Sequence, residues 1–260
     1  PLWSRGLGDV YKRQYQYCLL LNPGKTQLMV IGPPNVLQQI HINGAMLANG
    51  LCIRFVKYVK NLGVIIDESL SFKKQVMDLK KDCFRILRLI RKVKPFFSQN
   101  QLKLIVNSLV VCKLDYCNGL YYGLNESLLD ELQLIQNASA KTVFGLYKHD
   151  HVGDTLKQLH WLPVRYRIRF KVLMIVFKTL NGKGPQYLSD MIFYCSTQSH
   201  LPQLFEPHTV SKYGDRSFSK AAPSLWNKLP SEIKNCSTLE CFKCLLKTHL
   251  FKEAYNQIQF

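Results

Sequence analysis

YCLLLNPGKTQLMVIG, residues 17–32, sets two apolar runs around an Asn-Pro-Gly turn, with Lys25 and Thr26 leading into the second run. Asn, Pro and Gly supply the fixed and positive φ values that a tight reversal needs, so the pattern predicts two strands folded back on each other. Residues 15–67 keep that character. Residues 15–21 and 27–31 are candidate strands, and 37–42 leads into Asn43-Gly44, a dipeptide preferred at two-residue hairpin turns. Residues 53–59 and 62–66 are further short apolar runs, with Gly63 inside the last one marking a bulge or a close backbone approach.

From Leu70 the period lengthens. Phe72, Val76, Leu79, Cys83, Ile86, Leu87, Ile90 and Val93 fall at helical spacing as far as Pro95. Residues 99–121 and 127–145 are the next helical candidates, the second with Ser127 as N-cap and Gly145 as stop. A short helix is expected over 151–160. In 163–180 Arg165, Arg167, Arg169 and Lys171 alternate with apolar residues at strand period, yet the run is long and opens on Pro163, which favours a helix. Residues 181–237 are rich in Gly, Pro, Ser and Asn and read as loops with one or two short helices. A last amphipathic helix, 238–253, has Thr238 as cap and Phe242, Leu245, Leu246 and Leu250 inward. The expected class is α+β: a small antiparallel β piece followed by a mainly helical region, with the seam near residues 67–72.

The chain has 260 residues, 47% hydrophobic and 12% aromatic, a globular composition with length for a packed core. Its formal net charge is +18. A surplus that large favours a polyanionic partner, most simply nucleic acid. No apolar run approaches the roughly 18 residues a bilayer span requires; residues 104–112 are interrupted by Asn107 and Ser108. No membrane partner is expected. Nine scattered cysteines, without framework spacing, suit a reducing intracellular compartment, cytoplasmic or nuclear. Residues 1–14, PLWSRGLGDVYKRQ, carry neither period and look like translated adapter sequence, and the first methionine is Met29, so a natural start is expected to lie elsewhere.

Four blocks resemble LINE-type (non-LTR) retrotransposon reverse transcriptases, especially the chicken-repeat and jockey-like kinds. NPGKTQLMVIG at 22–32 is similar to the motif after the catalytic hairpin of the palm. LGVIIDESLSF at 62–72 is similar to the strand pair that grips the primer end before the thumb. LHWLPVRYRIRFKVLMIVFKTLNGKGPQYLSDMI at 159–192 and RSFSKAAPSLWNKLPSEIKNCSTLECFKCLLKTHLF at 216–251 resemble the C-terminal extension of these elements. The resemblance implies a late palm remnant at 15–69, a helical thumb at 70–146 and a C-terminal extension at 147–260. It also implies that the parent activity is RNA-directed DNA synthesis with Mg²⁺ held by palm aspartates. No Asp-Asp pair occurs in the chain. The chain is therefore expected to lack polymerase activity by itself, to carry no cofactor of its own, and to have the missing N-terminal part of the polymerase as a partner.

The same resemblance makes Lys25 the best auxiliary catalytic candidate: the matching lysine lies near the incoming nucleotide, where a cation neutralises departing pyrophosphate. The main candidate for binding RNA or an RNA/DNA template–primer is the helix at 73–94. It carries Lys73, Lys74, Lys80, Lys81, Arg85, Arg88, Arg91, Lys92 and Lys94 against only Asp78 and Asp82. Arg165, Arg167 and Arg169, with Lys171, form a second cluster, for phosphate or for internal pairing with acidic groups. Asp67-Glu68 is expected to end a strand and cap the helix that follows, since neighbouring strand residues face opposite ways; a hydrolase or nuclease built on Asp67 is the weaker reading. Cys236, Cys241, Cys244 and His249 follow no familiar zinc spacing and read as ordinary core or surface side chains, as do Cys112 and Cys117. His149 and His151 flank Asp150 in an expected loop, and Trp161 and Trp226 are expected packing anchors. The rival to a polymerase fragment is a non-catalytic host protein that reuses this segment for RNA binding or protein interaction.

Overall fold

A computed structural model of the chain describes residues 16, 25–39, 45–46, 52–53, 55–147, 149–195 and 203–256. The chain divides into two units, Pro1–Lys74 and Gln75–Phe260. The class is α+β: mainly helical, with short antiparallel strand pairs confined to the first unit.

In the first unit Pro33 and Pro34 pre-set the backbone for a single helical turn, α1 (Pro34–Leu37). This turn, and one parallel bridge from Leu28 to Phe55, stand where strands were expected over 27–31 and 37–42. Most of the 15–21 strand and the Asn43-Gly44 turn lie outside the described residues. β1 (Ala45–Met46) pairs antiparallel with β2 (Cys52–Ile53). β3 (Tyr58–Asn61) pairs antiparallel with β4 (Val64–Asp67), with Tyr58 opposite Asp67 and Asn61 opposite Val64. The connection is Leu62-Gly63, with φ of 45° and 87°. Positive φ at both central residues is the conformation whose twist matches a right-handed strand pair. Gly63 is thus the second residue of a hairpin turn and not a bulge inside a strand.

Asp67 closes the unit. It is buried, and its two carboxylate oxygens organise the five residues that follow. Oδ1 accepts from the Ser69 hydroxyl (2.6 Å), the Ser69 N–H (3.2 Å) and the Ser71 N–H (2.9 Å), and Oδ2 accepts from the Phe72 N–H (2.6 Å). Leu70 and Phe72 hold positive φ of 49° and 56°, a conformation that side chains resist and that these bonds impose. Burial alone would push the Asp67 carboxyl up. The Ser69 hydroxyl and the Ser71 and Phe72 N–H groups outweigh it and hold the carboxyl below its ordinary value. A depressed carboxyl pKa stabilises the fold fully above the unfolded value of about 4 and loses that contribution as pH falls through the folded value. Asp67→Ala leaves several donors without an acceptor and is expected to cost about 2–3 kcal/mol at pH 7. Urea unfolding at pH 7 and pH 3 should find the gap between variant and wild type narrowed at the lower pH.

α2 (Lys73–Val93) begins at the end of the first unit, and its remainder opens the second. Val76, Cys83, Leu87 and Ile90 form its buried stripe, as the helical spacing predicts, whereas Val93 is exposed. Ser98 and Gln101 form a reciprocal capping box at the start of α3 (Gln99–Val106). A wide π turn at Asn107–Val111 joins α3 to α4 (Cys112–Asp115). α5 (Glu126–Phe144) is capped by the Asn125 side chain, which accepts from the Ser127 N–H; the cap lies two residues before the expected Ser127. Gly145 stops α5 at φ 74°.

α6 (Gly153–Gln158) is short, and α7 (Val164–Leu180) is the continuous helix that Pro163 favours. In the region expected to hold one or two short helices, four are described: α8 (Gln186–Ser189), α9 (Lys212–Asp215), α10 (Phe218–Asn227) and α11 (Ser231–Lys234). Their Gly, Pro and Ser residues serve as caps and first-turn residues as well as loops, which composition alone does not separate. α12 (Leu239–Asn256) starts at Thr238, whose hydroxyl accepts from the Cys241 N–H. Phe242, Leu246 and Leu250 are fully buried; Leu245, expected inward, is 40% exposed. α7 packs on α5, α10 and α12. At the centre of that packing Phe177 and Phe242 stack at 4.1 Å between ring centroids, with Trp226 5.9 Å from Phe242. Trp161 and Trp226 are both buried, as packing anchors should be.

Candidate nucleic-acid interface

The helical period divides the cations of α2 into two rows. Lys80 and Arg91 border the buried stripe and turn to α5, where Lys80 ion-pairs with Glu131 and Arg91 Nε donates to Thr142 Oγ1 at 3.1 Å. Lys81, Arg85, Arg88 and Lys92 lie one step further round at i, i+4, i+7 and i+11, and all four are exposed. Arg85 makes a loose contact with Asp82 at 3.4 Å, the kind of surface pair that contributes little. Lys81, Arg88 and Lys92 have no ion-pair partner among the described residues. The outer row covers about 16 Å of helix. Fixed in direction by a packed helix and open to solvent, it suits a run of phosphates. Lys73 and Lys74, in the first unit, are exposed. Lys25 is also exposed, and its partners in the expected turn lie outside the described residues.

The second basic cluster is built differently. On a helix Arg165, Arg167 and Arg169 point in three directions, and each reaches a carboxylate. Arg165 forms a two-pronged pair with Glu126, one prong at 2.9 Å; that hydrogen bond holds the Glu126 carboxyl below its usual range and raises Arg165. Arg167 Nη1 meets both oxygens of Asp115 at 2.6 Å, and Arg169 Nη1 meets Glu253 at 2.7 Å. These are cross-ties between helices, and the cluster is not an open anion site. Strand-like alternation in the sequence hid this, because the acidic partners lie 39 to 84 residues away. Lys171 remains exposed.

Around Pro163 the same helices converge on one tripeptide and its neighbour. The Leu162 carbonyl accepts from Gln136 Nε2 (2.8 Å) and Arg167 Nε (3.0 Å), and the Val164 N–H donates to Gln133 Oε1 (2.9 Å). The Tyr255 hydroxyl donates to the Trp161 carbonyl at 2.6 Å. Gln136 is fully buried, and nothing in its local sequence marks it as structural. Burial pushes the Tyr255 phenol up to about 12. A raised phenol pKa contributes stability fully below the unfolded value of about 10 and loses it as pH rises through the folded value. Stability is therefore expected to fall between pH 10 and 12 by about 1–2 kcal/mol on account of this group. In an alkaline unfolding series Tyr255→Phe should start lower at pH 8 and flatten that decline.

A cleft of about 830 Å³ beside this convergence is lined by Asp130, Gln133, Lys141, His151 and Tyr166, among others. Asp150, in the loop, accepts the Tyr147 N–H at 2.6 Å. Among the described residues no three His, Cys, Asp or Glu side chains gather to hold a metal ion. Cys236 and Cys241 approach to 3.6 Å between sulfurs. Asp67 has both carboxylate oxygens engaged by its own turn and offers no free ligand for a magnesium ion. No helix among the described residues is long and apolar enough to cross a membrane.

The chain matches no family model, no curated protein and no solved structure. The open cationic row on α2 is therefore the feature with the clearest chemical direction.

Proposed function

We propose that the chain is a nucleic-acid-holding segment of a LINE-type reverse transcriptase, with residues 15–69 in the position of the late palm, α2–α5 in that of the thumb, and residues 147–260, which include α6–α12, forming the C-terminal extension. The observation that carries the reading is the outer row of α2: four exposed cations in line, set on a helix whose opposite face is buried. The sequence blocks that resemble the family add the class of polyanion, RNA or an RNA/DNA template–primer. Synthesis in that class runs on magnesium held by palm aspartates, and no step of it is assigned to this chain. Its contribution is electrostatic: the outer row neutralises phosphates and releases their counterions.

Filter binding of an RNA/DNA hybrid across a salt series tests this. Four phosphate contacts give a slope near −3.6 in log affinity against log salt, which is a loss of about 10² between roughly 50 and 200 mM salt. A slope near zero, or no binding at the lowest salt, overturns the reading.

A further inference from the structure

Resting on the nucleic-acid reading of α2, we infer that the corner where α2 and α5 end side by side takes unpaired nucleotides, with bases stacked on Phe96 and Tyr147 and phosphates held by Arg88 and Lys92. Two contacts bring the helix ends together: Arg91 with Thr142, and Lys94, whose ammonium lies against Gly145. Each helix then releases an aromatic ring into solvent. Phe96, just past α2, and Tyr147, two residues past the Gly145 stop, are both 82% exposed, and Phe97 is 39% exposed.

Positive charge predominates in the segment that carries Phe96. Residues 83–114 contain Arg85, Arg88, Arg91, Lys92, Lys94, Lys103 and Lys113 and no Asp or Glu. Asp150, close to Tyr147 in the chain, is bonded to the Tyr147 N–H. Lys94 sits at the C-terminal end of α5, where a cation offsets the helix dipole, so Arg88 and Lys92 are the groups left for phosphate. Both are exposed and lie on the outer row four and eight residues before Phe96.

Paired bases hide their faces in the stack and offer only edges and backbone. An exposed aromatic ring can stack only on a base whose face is free. Rings beside unpaired cations therefore match a single strand, which brings a planar apolar face and a negative charge at each nucleotide. A purely apolar protein partner would leave the cations uncompensated.

The test uses the full chain and fluorescence anisotropy with two probes of about 12 nucleotides, a labelled single-stranded RNA and an RNA/DNA hybrid of the same sequence. The double variant Phe96→Ala/Tyr147→Ala is expected to weaken single-strand binding by about tenfold or more and hybrid binding by less than about twofold. The swap Phe96→Tyr/Tyr147→Phe, which keeps both rings, should retain wild-type affinity. Both pairs are exposed, so folding should be unaffected, and circular dichroism checks it. Equal losses on the two probes, or no loss on the single strand, overturn the inference while the salt-dependent hybrid binding of the wild type leaves the α2 reading standing. Wild-type failure on both probes overturns the two together. A self-association abolished by the double variant, with RNA binding unchanged, also overturns it and assigns the corner to a second copy.

Discussion

Changing Lys81, Arg85, Arg88 and Lys92 together to glutamine is expected to weaken binding of an RNA/DNA hybrid by about 10²–10³-fold at roughly 0.15 M salt and to flatten the salt slope by 3 to 4. The two effects have one origin. Each lysine or arginine against a phosphate displaces close to one condensed counterion, so deleting four contacts removes both the affinity and its sensitivity to salt. The outer row is the right target because it carries no structural duty: Lys81, Arg88 and Lys92 have no ion-pair partner among the described residues, and Arg85 has only a loose one. The control is the inner row. Lys80→Gln breaks the Glu131 pair and should lower stability slightly while leaving the salt slope close to wild type. Arg165→Gln should likewise spare binding, since that guanidinium is engaged by Glu126. Loss of slope in the Arg165 variant comparable to that of the outer row would show that the two clusters had been assigned the wrong way round.

Phe242→Ala is expected to cost about 3–5 kcal/mol and to lower the melting temperature by roughly 6–20 °C. Phe242 is fully buried and its ring lies between Phe177 on α7 and Trp226 on α10. Its removal opens a cavity that two flat rings on different helices cannot close by small shifts. A loss of that size is a large part of the stability of an ordinary domain, about 5–15 kcal/mol. Phe242→Leu keeps most of the volume and should lose much less. Thermal unfolding followed by circular dichroism distinguishes them; a loss below about 1 kcal/mol for the alanine variant would mean that the ring stack is not the centre of the core.

Much of this fold is legible in the sequence because local signals and burial agree. The stripe Val76, Cys83, Leu87, Ile90 marks α2, Gly145 marks the end of α5, and Phe242, Leu246 and Leu250 mark the inner face of α12. Reading failed where a local residue type misled or where a choice depended on distant residues. Leu62-Gly63 adopts a turn because β3 and β4 pair on either side of it, although leucine is a poor turn residue. Leu245 lies about 100° round the helix from the centre of the buried stripe and stays partly in solvent. The arginines of α7 show the limit most clearly. A basic run on paper becomes a set of ties once Asp115, Glu126 and Glu253 arrive from other helices. In α2 the sequence showed eight cations of equal standing, and only packing against α5 separates those that hold the fold from those free to meet a ligand.

The grip on residues 161–164 bears on how the second unit comes apart. Side chains from α5, α7 and α12 all close on that short piece of backbone. None of the three helices can fray away without stranding a buried polar group left by the others. Amide protons near Val164 should accordingly exchange with solvent only through an opening that engages all three helices at once. The last helix, despite its place at the tail of the sequence, is a keystone of that opening and not a detachable end.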